Sequence, residues 1–193
     1  MEESLNFLYT HDLRGDLENL PRLFTFIKSL KGRMEGRTIV LDLGSACDPA
    51  VWHCEITGGR SMVVALDGMG MAVANMNGTI AAEMRTKLGD NLAITLIDSL
   101  HSHSVDDLIF TVTAPRSVEW DRLAVLVAPA EHTRLNNRVL SLVSVHGGQV
   151  GRVSLERVDQ IWGMTTYSVH DLPASTPPDP TIAGAVEFIT AEA

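Results

Sequence analysis

The feature that most constrains the fold of this chain is a series of short, almost uninterrupted apolar runs. They cover residues 38–43, 62–66, 92–97, 108–113 and 123–128. Runs of this length are typical of strands buried on both faces, as in parallel sheets covered by helices. Polar or helix-like stretches separate most of them, and this alternation predicts an α/β class of fold.

The N-terminal part shows the alternation most clearly. Residues 5–9 predict a first strand, and residues 10–16 form a polar elbow. Apolar residues then recur at spacings of three and four, the stripe of an amphipathic helix. They are Leu20, Leu23, Phe24, Ile27 and Leu30. Residues 80–88 predict a further helix.

The C-terminal part differs in character. Residues 139–145, 150–155 and 161–169 are strand-like runs joined by turns, which predicts an antiparallel meander. A Pro-rich stretch and a short helix candidate, residues 181–189, close the chain. We therefore expect one domain over residues 1–171, followed by a linker and a short helix over residues 172–193.

Composition limits the choice of partners. The formal net charge is -9, against 15 Lys plus Arg residues. Nucleic acids and anionic membranes require a dense basic surface, so neither is expected as a partner, although a local basic pocket remains compatible. No apolar run reaches the length of a membrane span, and the acidic N-terminus lacks the features of a secretion signal. With two cysteines, Cys47 and Cys54, we expect reduced thiols and a cytoplasmic protein.

One motif has an alternative interpretation. The segment Val40-Leu41-Asp42-Leu43-Gly44-Ser45 resembles the first motif of S-adenosylmethionine-dependent methyltransferases, in which a strand ends in a glycine-rich turn. Here the turn continues Ala46-Cys47-Asp48 without further glycines, and side chains there would obstruct a close approach of ligand to backbone. Asp67 is the only candidate for holding a ribose. The motif therefore disfavours a methyltransferase.

A broader resemblance extends over about residues 5–182. The elbow Thr10-His11-Asp12-Leu13-Arg14-Gly15-Asp16 and the Glu18-Asn19-Leu20-Pro21-Arg22-Leu23 that follows it resemble the opening of 5′-nucleotidase-type metallophosphoesterases. Four later segments resemble further blocks of this family in the same order. They are residues 40–45, 71–77, 127–135 and 146–155, the last containing Val150-Gly151-Arg152-Val153.

The resemblance implies a calcineurin-like metallophosphoesterase fold, an α/β sandwich of two mixed sheets flanked by helices with the site at the strand ends. It also implies a cage of carboxylates and imidazoles for two metal ions, which polarise a phosphate and generate a hydroxide. Matched to that pattern, Asp12 keeps the first aspartate, but Arg14 stands in place of its histidine partner. Ser45 replaces the carboxylate that bridges both metals. Asn75 is kept, and Met76 replaces a histidine.

Three further positions complete the comparison. Ala114 and Ala130 replace histidine ligands, and His132 keeps one. Because Arg14 places a permanent positive charge beside Asp12, it opposes a divalent cation. The matched residues thus indicate a pseudoenzyme with no metal cofactor.

Two functions follow as expectations. The first is a non-catalytic binding or scaffolding module, whose partner is a protein or a small anionic ligand bound by Arg14. The second is a phosphoesterase with a reduced site, in which Asp12, Asn75 and His132 hold manganese or zinc. A homo-oligomer is compatible with either function.

Overall fold

The computed structural model describes residues 3–77, 79, 80, 85, 88, 91–119 and 121–192, and in this part the chain forms two stacked sheets. The strands of sheet A are, in spatial order, β11 (Ile161–Asp171), β10 (Gln149–Val158), β1 (Glu3–Thr10), β2 (Arg37–Asp42), β3 (Val73–Asn75) and β4 (Thr95–Ile97). The strands of sheet B are, in spatial order, β5 (His103–Val105), β6 (Leu108–Thr111), β7 (Leu123–Ala130), β9 (Val139–Val143) and β8 (Arg134–Asn136).

Four helices accompany the sheets among the described residues, and all four contribute buried side chains to one core beside sheet A. They are α1 (Leu20–Lys31), α2 (Trp52–Thr57), α3 (Arg60–Gly68) and α4 (Pro180–Glu192). None of these helices has the length and apolar character needed to cross a lipid bilayer.

Strand direction makes both sheets mixed. In sheet A, strands β1 to β4 are parallel to one another. Strand β10 pairs antiparallel with both β1 and β11. In sheet B, β6, β7 and β9 are parallel, and β5 and β8 are antiparallel edge strands. The predicted α/β sandwich of two mixed sheets flanked by helices is confirmed.

Two cores result from the alternation of side chains along the strands. Phe7 and Leu41 of sheet A face Phe110 and Val125 of sheet B across the first core. Leu8 and its equivalents on the other face of sheet A pack against the helices in the second core. α1 follows its predicted stripe, since Leu20, Leu23, Ile27 and Leu30 are buried.

Residues 62–66, predicted as a buried strand, are instead part of α3. A five-residue apolar run is too short to distinguish the two structures by periodicity. Met62, Val63, Ala65 and Leu66 are all buried because α3 packs on sheet A within the helix-side core. The predicted helix over residues 80–88 lies mostly outside the described residues.

The predicted meander is also wrong in its first strand. β9 lies in sheet B between β7 and β8, whereas only β10 and β11 form an antiparallel hairpin. After β9, the chain crosses from one sheet to the other within a few residues. The hydrophobic pattern does not signal such a crossing, because strands of both sheets have the same period.

Cys47 and Cys54 form a disulfide, with Cα atoms 5.7 Å apart. The expectation of reduced thiols is therefore corrected. α2 begins five residues after Cys47 and brings Cys54 back against the loop that follows β2. The spacing alone carried no such signal, since the return of the chain depends on where the short helix begins.

The C-terminal segment is anchored on α1. The guanidinium group of Arg22 donates to the carbonyl oxygens of Thr176, Pro173 and Ala174 at 2.9–3.1 Å. Beyond this segment, Ile182 of α4 is buried in the helix-side core.

Candidate functional site at the edge of sheet A

Loops that follow β1, β2 and β3 emerge at one edge of sheet A, because these adjacent strands are parallel. The first two loops continue to pair beyond the strands. The amides of Asp12, Arg14 and Gly15 donate to the carbonyl oxygens of Gly44, Ser45 and Ala46, respectively, at 2.8–3.1 Å. This backbone ladder brings Asp12, Arg14 and Ser45 together, as the carboxyl edge of an α/β sheet brings ligand-binding loops together.

Asp12 and Arg14 form an ion pair at this edge. The Nε of Arg14 donates to Oδ1 of Asp12 at 2.7 Å. This hydrogen bond raises the pKa of Arg14 above its usual value. Both residues adopt a left-handed backbone conformation, with φ values of 59° and 50°, which is uncommon for residues other than glycine. The only carboxylate among the predicted site residues is thus engaged by a permanent cation.

Ser45 is exposed and also left-handed, with a φ of 57°. Gly44 before it has a φ of 112°, and a Cβ there would lie 3.2 Å from Nδ2 of Asn75. Glycine at this position therefore allows the amide of Asn75 to pack against the loop backbone.

Asn75 is buried, and its amide connects two loops. Nδ2 donates to the carbonyl oxygen of Leu43 at 3.0 Å, and Oδ1 accepts from the amide of Asn77 at 2.9 Å. Met76, the next residue, is buried in the helix-side core. Asn75 therefore holds the loops that follow β2 and β3 together. The buried side chain of Met76 does not reach the exposed edge of sheet A.

Asp42 is a buried carboxyl group that is not among the predicted site residues. Its Oδ2 accepts from the hydroxyl of Thr10 at 2.7 Å, and its Oδ1 accepts from the amide of Gly44 at 2.9 Å. Burial raises the pKa of Asp42 to about 7, although the two hydrogen bonds oppose the shift. A carboxylate inside an apolar run was the signal that could have identified it.

Sheet B reaches the same edge through β7 and β9. Nδ1 of His11 lies 3.1 Å from the carbonyl oxygen of Val145 and 3.0 Å from the hydroxyl of Ser144. The amide of Ser144 in turn donates to the carbonyl oxygen of Ala130. Ala130 is therefore connected through Ser144 to His11, the residue that follows β1.

The two remaining predicted positions are less closely connected. His132 is exposed, and its carbonyl oxygen accepts from the hydroxyl of Ser141 at 3.3 Å. Ala114 is exposed in the loop after β6 and lines a cavity on sheet B. No described contact joins the side chain of either residue to Asp12, Arg14 or Ser45.

Metal ligands are sparse in this arrangement. Within the part of the chain that the structure describes, no three His, Cys, Asp or Glu side chains gather in a group that could hold a metal ion. At the edge of sheet A, the candidate donors are the ion-paired Asp12 and the doubly hydrogen-bonded Asn75. As these residues are arranged, they do not fit a two-metal centre, which needs a bridging carboxylate and several free donors.

Two stacked mixed sheets, with their site loops at a common carboxyl edge, define the calcineurin-like metallophosphoesterase fold. Two solved structures share it. The sulfate thiohydrolase SoxB of Thermus thermophilus superposes with a TM-score of 0.66 over 97% of this chain and 60% of its own, at 13% identity. The calcineurin-like phosphoesterase YfkN of Bacillus subtilis superposes with a TM-score of 0.51 over 100% of this chain and 98% of its own, at 11% identity.

These similarities concern the fold alone. The chain spans about three fifths of the SoxB chain. No protein-family model matches the sequence, and no curated protein matches it.

Proposed function

We propose that this chain is a non-catalytic metallophosphoesterase-like domain that serves as a binding or scaffolding module. The observation that carries the proposal is the 2.7 Å ion pair between Arg14 and Asp12. A divalent cation at Asp12 would have to displace the guanidinium group from Oδ1 or bind Oδ2 directly beside its positive charge. Exposed Ser45 offers no carboxylate to bridge a second cation.

A small anion is the ligand class proposed for this edge. The side chain of Arg14 is 67% exposed, so its remaining N–H groups are accessible while Nε holds Asp12. A guanidinium group binds a phosphate or carboxylate with two parallel hydrogen bonds. A partner protein could supply the same chemistry through an acidic side chain. The proposed module comprises residues 1–171, and residues 172–193 form its C-terminal extension.

The alternative is a phosphoesterase with a reduced site, which the fold shared with YfkN keeps open. Asp12, Asn75 and His132 would hold one manganese or zinc ion, which would polarise a phosphate ester. The ion would compete with Arg14 for Asp12, and Oδ1 of Asn75 would have to serve it in addition to, or in place of, the amide of Asn77.

The deciding experiment is metal content by mass spectrometry after dialysis against manganese and zinc, with p-nitrophenyl phosphate turnover on the same sample. We expect neither bound metal nor turnover. A matched variant, Arg14→His combined with Ser45→Asp, restores two family ligands and should bind more metal than the unchanged chain. Near-stoichiometric metal with turnover in the unchanged protein would overturn the proposal in favour of the phosphoesterase.

Location and assembly remain predictions with direct tests. For a cytoplasmic protein, cell fractionation should recover the chain together with cytoplasmic markers. Recovery from an oxidising compartment, where a disulfide such as Cys47–Cys54 persists, would contradict this location. For a homo-oligomer, light scattering after size exclusion should give a mass above that of one chain, and a clean monomer at high concentration would contradict it.

A further inference from the structure

A cavity of about 570 Å³ lies on sheet B, apart from the loops that carry Asp12 and Ser45. One wall is the segment that follows β6, including Arg116. The opposite wall is β8 with the turn into β9, including Arg134 and Arg138. Cavities of this size are typical of small-molecule sites.

Strand register explains why the cavity is polar on one side. Leu135 and Leu140 are opposite each other and belong to the core between the sheets. Because side chains alternate along a strand, Arg134 and its partner Ser141 point to the other face of sheet B. Arg134 and Ser141 therefore line the cavity with no competing role in the core.

Arg138 occupies a costly position. Asn137 and Arg138 form the two-residue turn between β8 and β9, with φ values of 46° and 63°. Such turns require a positive φ at both positions, and glycine is strongly preferred at the second. An arginine there strains the backbone, and it is also one of the residues that line the cavity. Strained residues of this kind cluster at binding sites.

The charges in the cavity are not compensated by the described residues. Within the described part of the chain, the guanidinium groups of Arg116, Arg134 and Arg138 form no ion pair and no hydrogen bond. The described residues that line the cavity include no Asp or Glu. Three arginine residues without an ion pair to any described residue therefore line one cavity in a chain whose net charge is -9, and Arg138 also lines a neighbouring cavity beside Trp162.

We propose that this cavity binds a small organic phosphate that carries at least two negative charges. Planar guanidinium groups match phosphate oxygens with pairs of hydrogen bonds, and three arginine residues line this cavity. Leu126 and Val139 also line the cavity and provide apolar contact for the organic part. The inference is independent of the edge of sheet A and goes beyond the function proposed for it.

Isothermal titration with ADP and with inorganic pyrophosphate tests the proposal, using protein and Hepes buffer freed of metal by passage over chelating resin. We expect one ADP per chain. Loss of one guanidinium group, in Arg134→Ala or in Arg138→Gly, should weaken binding about tenfold. Arg138→Gly is the safer variant, because glycine adopts the positive φ of this turn without strain.

A matched control and a variant at the other proposed anion site locate the binding. Arg33→Ala removes an exposed arginine after α1 and should bind ADP within about twofold of the unchanged chain. Arg14→Ala removes the arginine at the edge of sheet A and reports any ADP that binds there instead of in the cavity. Tighter binding of ADP than of pyrophosphate would support contact of Leu126 and Val139 with the organic part, and equal binding would support recognition through the phosphates alone.

The outcomes that overturn the inference are distinct from those that overturn the proposed function. No binding of either probe up to about 10 mM would remove the phosphate site. So would equal affinity in the double variant Arg134→Ala/Arg138→Gly. Loss of ADP binding only in Arg14→Ala would place the anion at the edge of sheet A instead, which would support the binding module and refute the cavity.

Discussion

The carboxyl group of Asp42 is held between a hydroxyl and a backbone amide, away from solvent. Its pKa is raised by burial to about 7, whereas in the unfolded chain it stays near about 4. Between these two values the folded state keeps a proton that the unfolded state has lost. The free energy of unfolding should therefore fall as the pH rises from 4 to 7, by at most about 4 kcal/mol, and the contribution of Asp42 should then level off.

Urea unfolding at several pH values, compared between the unchanged chain and Asp42→Asn, isolates this effect. Asparagine fills the same space, accepts from the amide of Gly44 and donates to Thr10, and it carries no titrating group. The free energy of unfolding of the variant, relative to that of the unchanged chain, should therefore increase as the pH rises. Stability profiles that stay parallel from pH 4 to 8 would show that Asp42 does not titrate in this window.

Gly151 has a steric role that explains its place in the Val150-Gly151-Arg152-Val153 motif. It pairs with Tyr9 across β1 and β10, and a Cβ at this position would lie only 2.0 Å from Cζ of that ring. Because both residues are buried in sheet A, neither the ring nor the strand can move aside cheaply. Gly151→Ala should lower the free energy of unfolding by about 2 kcal/mol or more, measured by urea unfolding.

Gly184 is the matched control for this substitution. It lies exposed in α4, and a Cβ there meets nothing within 4 Å. Gly184→Ala should raise stability by up to about 1 kcal/mol, because alanine favours the helix. If both variants were equally stable, the contact between Gly151 and Tyr9 would not be tight.

At the scale of elements, the disulfide closes the loop between β2 and α2. Residues 47–54 form a small ring, whose closure in the unfolded chain is worth about 2 to 3 kcal/mol by chain entropy. A reducing agent should therefore lower the midpoint of thermal unfolding. The variant Cys47→Ala/Cys54→Ala should start from the lower midpoint and not respond to the reducing agent. A response in that variant would show that the effect does not arise from the disulfide.

Elements with a clear period were predictable from the sequence, and those that depend on context were not. α1 has a full amphipathic stripe and β2 a continuous apolar run, and both occur as predicted. α3 was mistaken for a strand, because a helix packed in the core shows only an apolar run. β5 and β8, with three residues each, are too short for any pattern.

The proximity of some candidate site residues was predictable, but their contacts were not. The order of motifs predicts Asp12, Arg14 and Ser45 in one place, and the backbone ladder between their loops brings these three residues together; their role stays a prediction. The cavity of Arg116, Arg134 and Arg138 was not foreseen. Its members come from separate loops and strands, and their convergence depends on the register of β8 with β9.

At the scale of the whole molecule, Arg22 links α1 to the segment that precedes α4. Its three hydrogen bonds to backbone carbonyl groups hold residues 173–176 on α1, which guides α4 onto the helix-side core. Hydrogen bonds from a charged donor are worth about 1.5–3 kcal/mol each when buried, and less here because two of them are exposed. Arg22→Ala should therefore release the C-terminal segment, seen as faster hydrogen exchange in α4 and easier proteolysis near residue 175.

Lys28→Ala serves as the comparison. Lys28 contacts the same C-terminal segment through Asp179 at 3.2 Å, but its side chain is 59% exposed. A pair so exposed is worth little, so exchange in α4 should change only slightly. Equal effects of the two substitutions would mean that Arg22 does not anchor the segment.

The ladder between the loops that follow β1 and β2 also has a kinetic consequence. Because the amides of Asp12, Arg14 and Gly15 are already bonded to the neighbouring loop, either loop can open alone only by breaking these hydrogen bonds. Fixing the backbone of a mobile residue costs about 1–2 kcal/mol, and a ligand that arrives at this edge is spared most of that cost. Association there should need no slow rearrangement, and the lifetime of the complex should depend on the contacts made by Arg14.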